Sequence, residues 1–212
     1  MKTDDLIAAL AADLPNKPTP VSRAVTIALG LSLPVSLAIL VFFVHVRPGL
    51  VGMLGETKIL VKFAFTLGLF GSGLWLALRL SRPGASAGAA GMALLGVFTM
   101  LAVAVVAELL RMPAGEWRQA MVGTYAVPCM TLIGLFSAAP LAALLYALRS
   151  GAPDSPALGG AVAGLCAGGL GAAVYATHCT EDSALFLALW YVIGISAVTV
   201  IGAILGRFAL RW

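Results

Sequence analysis

The chain has 212 residues, of which 61% are hydrophobic and only 10% charged, and its mean hydropathy is +1.03. Soluble domains lie near 45–50% apolar and about 25% charged, so this composition excludes an ordinary soluble domain. The net charge of +4 comes without a basic run or an aromatic ladder, which excludes direct binding to nucleic acid.

The opening stretch, MKTDDLIAALAADLPNKPTPVSR, is the most polar part of the chain. Leu6, Leu10 and Leu14 recur at i, i+4 and i+8 with Ile7 beside them, while Asp5, Ala9 and Asp13 lie off that stripe, which predicts a short amphipathic helix. Thr3 or Asp4 can cap it, Asp4 and Asp5 suit its positive end, and Pro15 stops it. At about eleven residues the helix is too short to hold together alone in water, so it needs something to dock on. Its acidic polar face is unlike that of helices lying on lipid, which carry Lys and Arg, and a protein partner fits better. PNKPTP then forms a stiff, extended spacer.

A bilayer crossing needs about 20 mostly apolar residues. Six such runs follow: Ser22–Val46, Ile59–Leu80, Ala87–Leu110, Tyr125–Leu148, Leu158–Thr177 and Ala184–Phe208. The expected fold is an all-α membrane protein, a six-helix bundle over residues 22–212 preceded by a segment and linker over residues 1–21. No signal peptide is expected, because the first apolar run follows an acidic segment and is long enough to span. With an even number of spans the termini share a side. That side carries Lys2, Lys17, Arg23, Arg79, Arg82, Arg149, Arg207 and Arg211, against Arg47, Lys58, Lys62, Arg111 and Arg118 on the other. Eight against five places both termini in the cytoplasm of a multi-pass inner-membrane protein surrounded by lipid.

Gly160, Gly164 and Gly168 on the fifth span, and Gly202 and Gly206 on the sixth, repeat at the interval that lets helices approach closely in lipid. Pro34, Pro128 and Pro140 are expected to kink their spans. Glu108 and Lys62 sit near span ends, where they are expected to reach polar surroundings.

Chemistry gathers in YATHCTEDSALFLALWY, between the fifth and sixth spans, where His178, Cys179, Glu181 and Asp182 share one turn facing away from the termini. Cys129, near the start of the fourth span, is at matching depth, and the two thiols can form a disulfide or share a soft metal. Cys166 lies mid-span, about 20 Å from Cys179 along the helix, and reads as a small hydrophobe. With His45 at the outer end of the first span, the residues Cys129, Cys179, His178, His45, Glu181 and Asp182 form a candidate set for zinc, copper or a similar regulatory ion; no cofactor is required. Glu181 and Asp182 equally suit the start of the sixth span as caps. No phosphate loop, nucleophile elbow or paired intramembrane carboxylate is present, so an enzyme is not expected. A small metal-handling protein or transporter, binding an ion through His45, Cys129, His178 and Cys179, is the alternative. A thiol oxidoreductase would want a CxxC pair.

MKTDDLIAALAADL at the N-terminus, VPCMTLIGLFSAAPLAALLYALRSGAPDSPALGGAVAGL in the middle, and YATHCTEDSALFLALWYVIGI followed by GRFALRW resemble the NrsF-type membrane anti-sigma factors over essentially the whole chain. The resemblance implies a six-span inner-membrane protein whose cytoplasmic N-terminal segment holds an extracytoplasmic-function (ECF) sigma factor inactive. It further implies a two-cysteine element that releases the sigma factor under metal or oxidative stress. Carried over by position, the segment falls on Thr3 to Leu14, with Thr3, Asp4, Asp5, Leu6, Ile7, Leu10 and Leu14 as contacts, and the cysteines are Cys129 and Cys179. Cys166 matches no motif, and the HxxxCxxC helix of zinc-binding anti-sigma factors is missing.

Overall fold

The computed structural model describes residues 20–151 and 153–211, together with Thr3 and Asp5, which are helical and exposed. Asp4, Leu6, Ile7, Leu10 and Leu14, and with them the amphipathic stripe, lie outside the described residues. The described residues contain helix and no strand, and six helices are long and apolar enough to cross a membrane. They are α1 (Val21–Val44), α2 (Thr57–Leu80), α3 (Gly88–Arg111), α4 (Ala126–Leu148), α5 (Pro156–Ala176) and α6 (Ala184–Ala209). In a bilayer every backbone donor must be satisfied within the segment, which is why uninterrupted apolar runs become helices. α1 and α6 each hold one π-helical turn, at Leu40–Val44 and Leu187–Tyr191.

α5 runs through the middle of the bundle and packs on α6, α2 and α4. Its glycines explain the arrangement, because they leave room on three sides. A Cβ at Gly164 would lie 2.6 Å from the Val198 carbonyl oxygen of α6, one at Gly169 would lie 2.6 Å from the Phe70 nitrogen of α2, and one at Gly171 would strike Ser137 of α4. Gly160, Gly202 and Gly206 meet backbone to backbone. The spacing read from the sequence is therefore a helix–helix seam. α1 leans on α4, where Ser36 donates to the Phe136 carbonyl at 2.7 Å, and α3 leans on α2.

Two expectations about prolines and cations need correction. Pro34 and Pro140 are inside their helices, but Pro128 is the third residue of α4, in the first turn, where a backbone N–H has no intrahelical acceptor to lose. Lys62 finds its polar partners inside the fold and not at the surface: it is 2% exposed, buried beside Asp182.

Candidate functional site

The end of the bundle away from Val21 is closed by the turn between α5 and α6. α5 stops where Thr177 Oγ1 turns back onto the Val174 carbonyl at 2.7 Å and the amides of His178 and Cys179 both close on the Tyr175 carbonyl, at 2.9 and 3.0 Å. The turn is then held from outside. Arg47 Nη1 donates to both carboxylate oxygens of Asp182, at 2.8 and 3.0 Å, and to the Cys179 carbonyl at 3.2 Å. Lys62 Nζ donates to the same Cys179 carbonyl at 3.1 Å and pairs with Asp182. His178 Nδ1 lies 2.8 Å from the His45 carbonyl oxygen, and His45 is the one non-glycine residue with positive φ (66°) among the described residues. Holding a residue in that region costs on the order of 1–3 kcal/mol, which the surrounding contacts have to offset.

The two thiols inferred to match in depth do meet in one place. Cys129 and Cys179 belong to a single buried cluster with Ile133, Phe136, Phe186 and the tyrosines Tyr175 and Tyr191, whose rings are 5.6 Å apart. The thiols and both phenol groups lie within electrostatic reach of one another. Both cysteines are free. Cys129 is fully buried, whereas Cys179 borders a cleft of about 450 Å³ that is also lined by His45, Arg47, Tyr125, Tyr175 and His178. Among the described residues the buried Tyr191 hydroxyl has no hydrogen-bond partner. Cys166 sits apart, between α5 and α2, with its thiol 3.7 Å from the Phe70 carbonyl and its backbone against Gly73.

The acids do not do what the sequence suggested. Ser183, rather than Glu181 or Asp182, caps α6, its hydroxyl accepting from the Leu185 amide at 3.2 Å. Asp182 is taken up by the two cations, and Glu181 accepts the Thr124 amide at 2.9 Å, tying the turn to the loop before α4. The acid at the start of α6 comes from another helix: Glu108 of α3 accepts the Ala184 amide at 2.6 Å and the Ser183 hydroxyl at 3.2 Å. Lys58 lies 3.1 Å from its other oxygen, an ion pair without hydrogen-bond geometry. A second cavity, of about 280 Å³, opens beside this group between α2 and α3.

Among the described residues no three His, Cys, Asp or Glu side chains stand close enough to hold a metal ion. With Asp182 on Arg47 and Lys62 and Glu181 on the Thr124 amide, the candidate set reduces to the two thiols and the imidazoles near the cleft. Sequence reasoning placed Arg47, Lys62 and Glu108 near span ends without joining them to the site, and passed over Tyr175 and Tyr191. A lysine within an apolar span was the available signal, because such a charge has to find a partner.

Comparison with known proteins agrees with this architecture. The family model described as "Negative regulator of sigma F" matches residues 10–212. The Anti-sigma-F factor NrsF of Caulobacter vibrioides is 37% identical over 220 residues, and the Probable anti-sigma-F factor NrsF of Azospira oryzae is 33% identical over 217; each comparison covers the whole of both chains. No solved structure matches. A family model over nearly the whole chain, two full-length relatives and six membrane-length helices lead to one assignment: the chain belongs to the NrsF family of negative regulators of sigma F.

Proposed function

We propose that this protein is an inner-membrane anti-sigma factor that holds an ECF sigma factor through its cytoplasmic N-terminal segment and releases it when Cys129 and Cys179 react on the outer side. The observation that carries the reading is the meeting of two free cysteines from different parts of the chain in one buried cluster beside an open cleft. That cluster lies at the far end of α1 from the N-terminal segment.

Three details support it. The side that holds the termini carries eight Lys and Arg against five on the other. This count supports the terminal side as the cytoplasmic one. The short acidic helix read at Thr3 to Leu14 needs a partner, and a sigma factor supplies one. Two thiols of one buried cluster answer to an oxidant by forming a disulfide, or to a soft metal such as copper by ligating it. The role is regulatory rather than catalytic.

Thiol alkylation and peptide mass spectrometry on protein from membranes, before and after copper, zinc or peroxide, tests the reading. Cys129 and Cys179 are expected to lose alkylation together under the stimulus that induces sigma-dependent transcription. If both stay freely alkylated while transcription is induced, the cysteines are not the sensor.

A further inference from the structure

A change at Cys179 has to reach the N-terminal segment, which enters the bundle at the opposite end of α1. Three ties run from just beyond α1 to the cysteine turn. The Arg47 amide donates to the Thr177 carbonyl at 3.1 Å, Arg47 Nη1 donates to the Cys179 carbonyl and to Asp182, and the His45 carbonyl faces His178 Nδ1. α2 adds Lys62, on the same carbonyl and the same carboxylate. The side chains of Arg47 and Lys62 are 7% and 2% exposed, and that of Asp182 is 16% exposed.

Two buried cations thus share one carboxylate, and the Cys179 carbonyl is the second acceptor both require. Removing an acceptor from a buried charge is far more costly than losing an exposed one. We propose that Arg47, Lys62 and Asp182 are positioning residues, a clamp that converts displacement of Cys179 into movement of α1. The proposal rests on the reading that Cys179 is the residue modified. Its thiol and its clamped carbonyl belong to one residue that is 2% exposed, with the thiol already 3.8 Å from the Glu181 carbonyl. A disulfide drawn to Cys129, with both thiol hydrogens and their electrons passing to a peroxide that leaves as water, or a metal bound at the sulfur, pulls on a residue whose own carbonyl both cations hold, so the backbone shifts and the cations lose their acceptor.

α1 is built to respond at that point. Its last turn is the π-helical Leu40–Val44, followed at once by His45 with φ 66°. A π turn carries one residue more than the α-helix around it, so its conversion to α changes the register of the residues on one side. Farther along, α1 is seated on the helix that carries Cys129, through Ser36 and the Phe136 carbonyl. The clamp therefore supplies what a switch requires, contacts that differ between two positions of one helix.

The test uses the full-length chain with its sigma factor, and reads a sigma-dependent reporter, membrane abundance by immunoblot, and alkylation of Cys129 and Cys179. Asp182→Asn removes the charge both cations need and keeps the shape. At wild-type abundance it is expected to raise the reporter roughly tenfold without any stimulus, within the range of typical coupling between sites, while both thiols remain fully alkylated. Arg47→Lys keeps the charge but loses the fork, and is expected to raise the reporter by a smaller amount. If Asp182→Asn does not accumulate, Arg47→Lys decides. A silent reporter in the accumulated variants overturns the clamp, and if the wild-type thiols still respond to stimulus, the cysteine reading stands without it. A raised reporter in the variants, with wild-type thiols that never respond, keeps the clamp and removes the cysteines.

Discussion

Glu108 reaches from the end of α3 to the first amide of α6, and that single carboxylate ties the two helices where they meet. Replacing it with alanine leaves the Ala184 amide without its charged acceptor, which is worth about 1–2 kcal/mol for a helix cap. Glu108→Ala is expected to lower the thermal unfolding midpoint in detergent, with Glu108→Gln recovering part of the loss. Cys166, packed against Gly73 and Phe70, is expected to behave as filler. Cys166→Ala should cost less than about 2 kcal/mol, the low end for a truncation in a core, and leave alkylation of Cys129 and Cys179 unchanged in peptide mapping. At this scale the sequence was readable where position along a helix sets depth, which is how Cys129 and Cys179 could be paired. It was unreadable where partners meet only through space. Nothing in the spacing of Lys62 and Asp182, or of Glu108 and Ala184, announces that they touch, and so Asp182 looked like a cap when it is the counter-charge of two cations.

The helices themselves were legible almost residue by residue. The run expected at Ala184–Phe208 is the helix Ala184–Ala209, and the one expected at Ile59–Leu80 is Thr57–Leu80, because the length of an apolar stretch decides whether it can cross a bilayer. The seam between α5 and α6 was legible as well, since only small residues at that interval permit such close approach. Gly164→Leu is expected to break it. The added side chain meets the Val198 carbonyl and the Thr199 backbone, which cannot move aside as a flexible side chain would, and the loss should exceed the roughly 1–3 kcal/mol of ordinary overpacking. Reduced membrane accumulation, or a lowered unfolding midpoint, checks this. The π turns at Leu40–Val44 and Leu187–Tyr191 left no mark in composition, because LVFFV and LALWY serve equally well in an α-helix; Leu40, Leu187 and Tyr191 of these turns are buried in the cysteine cluster.

At the scale of the whole molecule, the bundle separates two kinds of chemistry by the thickness of a membrane: thiols, imidazoles and the ion cluster at one end, and at the other the chain that precedes Val21. If the N-terminal segment docks through its apolar stripe, Leu10→Asp is expected to free the sigma factor constitutively while leaving the thiols and the bundle untouched. Unchanged repression in a reporter assay would remove that stripe from the mechanism. The bundle also distributes its constraints unevenly. Most of α5 is buried against three neighbours through glycine and alanine, whereas α3 buries only Ala90 and Leu101 and turns the rest of its length toward lipid or lightly packed neighbours. Over evolutionary time the two helices should therefore age differently. Substitutions of one apolar residue by another can accumulate on α3 with little consequence, while α5, whose glycines lie against the backbone of its neighbours, is left to keep them or lose the fold.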